Sequence, residues 1–333
     1  MAPRRGWLSP DDLWYGGHWL AWPLAPLSGL FRAGVALRRL AYRQGWLKRE
    51  RLPVPVIVVG NLSVGGTGKT PVVLWLSHWL RERGWRPGII LRGYGGTAQD
   101  WPRWVTAAGD PRELGDEAVL LARRSGVPVV AGPDRVAAGR SLLGRTDCNL
   151  LISDDGLQHD RLQRDLEILV IDASRGFGNG FCLPAGPLRE PVSRAREIPL
   201  RLASGGPWAG AEPLVLQPGE LVSLRDPART RPLAGLKRQR VTAVAGIGHP
   251  ERFFSLLRQA GLHLDERPYP DHHPFTASDL ASWPPGPVIM TEKDAVKCFT
   301  LAGADHWYLP ITAVPSAAFE HQLTQALTGL RNG

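Results

Sequence analysis

PVPVIVVGNLSVGGTGKTP, residues 53–71, decides the fold. Its first half, Pro53–Gly60, is a short β-branched apolar run, the signature of a strand buried on both faces in a parallel sheet. Its second half reads S-V-G-G-T-G-K-T over Ser63, Val64, Gly65, Gly66, Thr67, Gly68, Lys69 and Thr70. A phosphate-binding loop is G-x-x-x-x-G-K-[ST] between a strand and a helix. Gly68, Lys69 and Thr70 match it, and Ser63 stands where the first glycine is usual. Gly65 and Gly66 can supply the left-handed backbone angles instead. Successive N–H groups then cradle phosphate oxygens at a helix N-terminus. Lys69 reaches the β/γ-phosphates and Thr70 offers a hydroxyl to Mg²⁺. The alternative is a glycine-rich turn that acquired its lysine by chance. Only five lysines occur in the chain, which weighs against it.

Outward from this loop, a helix is expected over residues 71–83, closed by Gly84. Further apolar strands are expected at Gly88–Leu91, Val127–Ala131, Asn149–Ser153 and Leu166–Ile171. Strands alternating with helices predict an α/β fold, a parallel P-loop NTPase-like sheet. Residues 206–240 are rich in Pro, Gly and Arg. Two alternating runs there, Leu214–Gln217 and Leu221–Leu224, flank Pro-Gly-Glu and read as a two-stranded hairpin linker. The α/β pattern restarts with Val241–Ala245, a helix over Glu251–Gln259 and a strand at Val288–Met290. The expected division is therefore an N-terminal segment (1–50), a P-loop domain (51–205), the linker (206–240) and a second, smaller α/β/α domain (241–325).

A P-loop phosphotransferase acting on an alcohol needs a metal-binding acid and a group that takes the hydroxyl proton. Asn149–Asp155 is an apolar strand ending in two acids, so Asp154 and Asp155 are Walker-B-like candidates for Mg²⁺. They read less readily as turn or helix caps. Asp116 and Glu117 open a helix. From these residues alone they serve equally well as helix caps or as a catalytic pair. Asp271-His272-His273 and His159 pair a carboxylate with imidazole, which tunes a pKa or occurs by chance on a surface. A guanine-specific N/T-K-x-D element is not matched by Thr291-Glu292-Lys293-Asp294, where Lys and Asp are adjacent, so ATP is favoured over GTP.

Composition is that of a soluble globular chain, 43% hydrophobic and 21% charged over 333 residues. Three scattered cysteines, Cys148, Cys182 and Cys298, form no CxxC or Cys/His cluster, so neither a zinc site nor a disulfide framework is expected. The net charge is +9, and residues 1–51 carry nine Arg/Lys against three acids. Five of the thirteen tryptophans lie there too: Trp7, Trp14, Trp19, Trp22 and Trp46. Tryptophan with arginine marks a membrane-interface segment, although an Arg-rich background explains part of the charge. Leu13–Phe31 lacks charged side chains, but Pro23, Pro26 and several glycines argue against a spanning helix. After Pro26 a helix is expected to lie on the membrane. Leu27, Leu30, Phe31, Gly34, Leu37 and Ala41 face one way, with its arginines attracting anionic lipid. A nucleic-acid-binding ATPase would line a groove with charge, whereas here the excess gathers at the apolar N-terminus, so no nucleic-acid partner is expected.

The ordered set GNLSVGGTGKTP (60–71), RGYGG (92–96), GDE (115–117), DDGLQH (154–159), GNGFCLPAGPLREP (178–191), AGIGHPERFF (245–254), DHHPF (271–275) and TEKDAVK (291–297) closely resembles the tetraacyldisaccharide 4′-kinase family, the lipid A kinases of Gram-negative bacteria. Ser63 is not a departure there, because that family usually has Ser or Thr at this place. The resemblance implies transfer of the γ-phosphate of ATP to the 4′-hydroxyl of a tetraacyl glucosamine disaccharide 1-phosphate, giving lipid IVA. It implies Mg²⁺, two α/β/α domains joined by a two-stranded linker, and a membrane-facing N-terminal helix. The enzyme is then expected to be a monomer, peripheral on the cytoplasmic face of the inner membrane, with the lipid A disaccharide precursor and the anionic membrane surface as partners. By the same resemblance Asp116 is the base for the 4′-hydroxyl, Glu117 a supporting acid, and His272 a histidine brought by domain closure. Asp154, Asp155 and Glu190 are then acids near the metal. Gly178–Gly180, Lys293 and Asp294 match family positions to which no role is given. The rival reading is a P-loop ATPase or GTPase acting as a metallochaperone or switch, which would usually carry metal-ligand cysteines.

Overall fold

The computed structural model describes residues 10–331. Trp7, read above as part of the membrane-interface segment, lies outside them. The chain forms two compact units, each built from separated stretches: residues 1–69, 155–214 and 315–333, and residues 70–154 and 215–314.

In the first unit the quoted apolar run forms the strand Val56–Gly60, buried throughout. It pairs in parallel with Leu166–Asp172, which pairs with Leu200–Ser204, which pairs with Glu212–Pro218. Two-sided burial is why Val56–Gly60 and the second half of Leu166–Asp172 carry continuous Val, Ile and Leu rather than an alternating pattern. Each such side chain taken from water contributes about 1.5–3 kcal/mol. The C-terminal helix Ala317–Arg331 buries Phe319, Leu323 and Leu327. An N-terminal helix, Ala21–Arg43, completes this unit. It begins earlier than expected and runs through Pro26. Pro23 falls in the first turn, where N–H groups have no helical partner, so only Pro26 removes a bond.

The second unit holds Pro87–Leu91 between Leu150–Asp154 and Val129–Ala131, all parallel, with Arg103–Val105 antiparallel at the edge. A six-stranded sheet follows, in the order Thr230–Arg231, Leu221–Ser223, His306–Leu309, Val288–Thr291, Arg240–Ala245, His263–Pro268. Its last four strands are parallel. Side chains alternate across it. Val241, Ala243 and Ala245 pack with Phe253, Phe254 and Leu257 of the helix Pro250–Gln259. Val244 and Met290 pack on the opposite face with Phe275, Trp283, Ala295 and Cys298. Helices on both faces make this an α/β/α layer, as expected.

The expected hairpin does not form. The stretch containing Leu214–Gln217 lies between Leu200–Ser204 and Ile311–Pro315 in one sheet, whereas Leu221–Ser223 pairs with His306–Leu309 and Thr230–Arg231 in the other. Local alternation specifies a strand but not its partner.

Candidate functional site

The phosphate loop is built as the residue pattern requires. Gly65 and Gly68 have φ of +106° and +87°. Side chains placed on Gly65 or Gly66 would meet nothing within 4 Å, so the loop faces open space. Ser63 is pinned by a β-bridge to Leu188, and the Val64 N–H donates to Pro187 O at 2.8 Å. Thr67 is buried, and its hydroxyl has no protein partner. An orphaned buried hydroxyl beside open space and unhindered glycines fits a polyphosphate. Lys69 and Thr70 begin the helix Lys69–Glu82.

Lys69 Nζ lies 3.5 Å from Asp155 Oδ1. The Arg189 guanidinium grips the same carboxylate with two bonds of 2.9 Å and also reaches the Asn61 side chain. Asn61 in turn donates to Gly65 O. A lysine, a carboxylate and a forked arginine thus form one braced cluster at the loop. Tyr15, Asp172 and Arg175 border the cleft over Gly65–Thr67. Arg189, Asn61, Tyr15, Asp172 and Arg175 were missed in the sequence because their signal is spatial. Arg189 alone had a local cue, standing one residue before Glu190.

Glu190 is deeply buried, and its oxygens meet Gln158 at 2.8 Å, Arg194 at 3.6 Å and Arg39 at 3.7 Å. Asp154 ends the strand Leu150–Asp154 and is buried. Among the described residues no three His, Cys, Asp or Glu side chains converge as a metal cage. Mg²⁺ carried on phosphates needs only one or two protein carboxylates, and the donor set here suits that mode.

In the second unit Asp116 is the first residue of the helix Asp116–Arg124, preceded by Gly115 at φ +91°. A side chain on Gly115 would collide with Tyr94 O at 2.6 Å, so the approach of RGYGG to GDE requires glycine there. Asp116 is 4% exposed and accepts from the Glu117 N–H at 2.9 Å. His272 Nδ1 lies 3.1 and 3.0 Å from its two oxygens. No closure is needed to bring His272 there, since the two side chains already meet within one compact unit. Burial alone would raise the Asp116 carboxyl. The His272 bond and the charges of Lys293 and Lys297 outweigh it and hold the group below its ordinary value. Burial likewise opposes the His272 imidazolium, but the Asp116 bond prevails and raises it.

Lys293 Nζ sits 3.2 Å from Glu117 Oε1, 3.2 Å from Asp271 Oδ1 and 3.3 Å from His272 Nε2. Asp294 is wholly buried. It accepts from the Gly246 N–H at 2.9 Å and from Thr291 Oγ1 at 2.6 Å, tying the Gly-x-Gly turn to the helix Glu292–Cys298. TEKDAVK is therefore an anchoring and charge-placing segment. Its lysines were legible in principle, because three of the chain's five, Lys69, Lys293 and Lys297, contact candidate acids. Among the described residues the two non-glycines with left-handed φ are Asp155, at 48°, and His272, at 60°. Such strain concentrates at functional sites, and here it marks one residue in each cluster.

The loop 178–186 fastens the N-terminal segment. Asn179 N–H donates to Trp14 O at 2.9 Å and its side chain to Ala185 O at 2.8 Å. A side chain on Gly178 would strike Trp14 O at 2.7 Å. On the N-terminal helix the expected apolar stripe is left bare: Leu27, Leu30 and Leu37 are exposed, and Trp22 is 71% exposed. Three of the arginines expected to attract lipid pair with groups of the protein. Arg38 bonds Gln158 O and Asp160, Arg39 pairs with Glu197 and lies near Glu190, and Arg43 pairs with Glu197. Arg39 is largely covered by these partners, while the Arg38 and Arg43 side chains stay exposed. Arg32, Lys48 and Arg49 are exposed.

A phosphate loop on an α/β sheet, with a buried carboxylate–imidazole pair, defines a P-loop phosphotransferase. The model of the family described as tetraacyldisaccharide-1-P 4′-kinase matches residues 20–328. The chain belongs to the tetraacyldisaccharide 4′-kinase family. It is 51% identical over 314 residues to the tetraacyldisaccharide 4′-kinase of Nitrosococcus oceani, covering 94% of this chain and 93% of that one. It is 50% identical to the Alkalilimnicola ehrlichii protein of that name over 94% of this chain and 95% of that one. The crystal structure of LpxK from Aquifex aeolicus in complex with ATP superimposes with a TM-score of 0.78 at 30% identity, covering 93% of this chain and 99% of that one.

Proposed function

We propose that this chain is an ATP-dependent kinase that transfers the γ-phosphate to the 4′-hydroxyl of a tetraacyl glucosamine disaccharide 1-phosphate, yielding lipid IVA. The observation that carries the reading is the buried Asp116 carboxylate held by His272, in a chain that also presents a braced phosphate loop. A nucleotide switch has no use for a carboxylate poised to take an alcohol proton.

When bound, Mg²⁺ supplies charge neutralisation at the phosphoryl oxygens. Thr70 and one of Asp154 and Asp155 would hold it. Glu190 is a third candidate, which must first turn from Gln158 and Arg39. The N–H groups of residues 65–68 would grip the triphosphate, and Lys69 would leave Asp155 to meet it. Asp116 accepts the sugar hydroxyl proton as the new O–P bond forms, Glu117 supports the charge balance, and His272 orients the accepting carboxylate. Phosphoryl transfer passes through a loose transition state, so positioning and charge do most of the work.

The bare stripe of Leu27, Leu30 and Leu37 with Trp22 supports a peripheral seat on the cytoplasmic face of the inner membrane. No described helix is long and apolar enough to cross a membrane. Exposed Arg32, Lys48 and Arg49 would meet anionic headgroups. Both clusters come from a single chain, which supports a working monomer. Residues 1–50, 51–205, 206–240 and 241–325 would serve as membrane segment, nucleotide domain, linker and His272-bearing domain.

The test uses purified protein, γ-labelled ATP, Mg²⁺ and the tetraacyl acceptor in mixed micelles. Lys69→Ala should cut label transfer by about 10²-fold or more. Asp116→Asn should cut it by about 10²–10⁴-fold, the usual worth of a general base. Near-normal transfer by Asp116→Asn would refute the assignment of the base.

A further inference from the structure

The Lys293 ammonium has three N–H donors and no acceptor. It faces Glu117 Oε1, Asp271 Oδ1 and His272 Nε2 at 3.2, 3.2 and 3.3 Å. One donor is therefore aimed at each. A bond to Nε2 requires a lone pair there, so the ring proton sits on Nδ1, where it points at Asp116. We propose that Lys293 is a positioning residue that fixes the tautomer of His272: when the ring is neutral, its proton sits on Nδ1 and is aimed at Asp116. This deepens the kinase reading above and rests on Asp116 being the base.

Every charged or titratable group that faces the ring bears on this arrangement. Asp116 and Glu117 come from the helix Asp116–Arg124, and Asp271 from the ring's own loop. Lys293 and Lys297 come from the helix Glu292–Cys298, and the Tyr94 ring lies 5.1 Å away. Lys297 lies 3.9 Å from Asp116 Oδ2 but only 2.8 Å from Asp294 Oδ1, with which it forms its closer ion pair. Lys293 alone among these cations contacts the imidazole. An imidazolium would set Nε2–H against the ammonium and would place a full positive charge on Asp116, lowering its affinity for the sugar proton. Burial and Lys293 oppose that form, while the Asp116 bond and the charges of Asp116 and Asp271 favour it and prevail, so the ring stays protonated to somewhat higher pH than a free imidazole.

The sign of the expected change follows. Removing Lys293 removes an influence that lowers the His272 pKa, so the imidazolium persists to higher pH. Lys293→Met should move the acid limb of the kcat–pH profile up by about one unit. Its deficit at neutral pH should then be recovered in alkaline buffer, with KM for ATP little changed. Lys293→Arg keeps the charge and should hold the limb near the wild-type position. ¹⁵N spectra of histidine-labelled protein, with His272 assigned from His272→Asn, should show unprotonated Nε2 in wild type and a raised midpoint in Lys293→Met. This second readout needs no turnover, so it separates the tautomer from the base assignment. If Lys293→Met leaves both the limb and the ¹⁵N midpoint unmoved, the proposal is overturned. If Asp116→Asn stays active while the midpoint does shift, the tautomer stands and the base reading falls.

Discussion

The bond between Asp116 and His272 stabilises the fold whatever its part in the chemistry, and the pKa shifts of the pair give that contribution a pH window. His272 is raised in the folded chain, so its share is fully present below the ordinary value of about 6.5 and is lost as pH rises through the higher folded value. Asp116 is lowered, so its share is present above about 3.9 and is lost as pH falls through the lower folded value. Both shares are full between those limits. Calorimetry should therefore find the Tm gap between wild type and His272→Asn widest near pH 5–6 and shrinking above neutrality. Asn tolerates the left-handed backbone at this position, so a pH-independent gap would show that the pair is not the cause. Lys69 was legible because it sits in a motif whose residue types limit the chemistry, whereas Asp116 and His272 were only candidates on their residues alone and took their roles from the family resemblance. Arg189 and Lys293 were not legible, since a cation's role depends on which acid it meets. Only the scarcity of lysine pointed toward Lys293.

The N-terminal helix shows where periodicity informs and where it misleads. The stripe of Leu27, Leu30 and Leu37 is legible from spacing alone, and its exposure shows that the stripe is not core. The prolines obscured the helix start because Pro23 and Pro26 read as breakers, although Pro23 falls in the first turn and the helix continues through Pro26 with one bond lost. The direction of the arginines was not legible, since their partners Asp160, Glu190 and Glu197 lie over a hundred residues away. Two kinds of substitution should separate accordingly. Leu30→Glu with Leu37→Glu should sharply reduce sedimentation with anionic vesicles and leave Tm within a degree or two. Arg39→Ala should instead lower stability by about 1 kcal/mol, the scale of a half-buried ion pair, with vesicle binding retained. Equal vesicle losses from both would return the arginines to the lipid side. The hairpin expected at 214–224 failed for a related reason. Pairing is non-local, and those two runs found partners in different sheets.

Across the molecule, the α/β class and the strand-to-loop-to-helix context were set by continuous apolar runs and glycine placement. The two compact units cut across the linear segments, because the chain leaves and re-enters each of them. That interleaving has no local sequence signal. The same chain carries a phosphate loop, a buried carboxylate bound to imidazole and a bare apolar helix, the features expected of an enzyme working on a lipid alcohol. The most direct test is the identity of the product. Wild-type protein incubated with ATP, Mg²⁺ and tetraacyl disaccharide 1-phosphate should yield a lipid one phosphate heavier. ³¹P and ¹H NMR should place the new ester at the 4′ position, and Asp116→Asn should produce almost none. ATP consumed with only inorganic phosphate released, or a new ester at any other hydroxyl, would contradict the account.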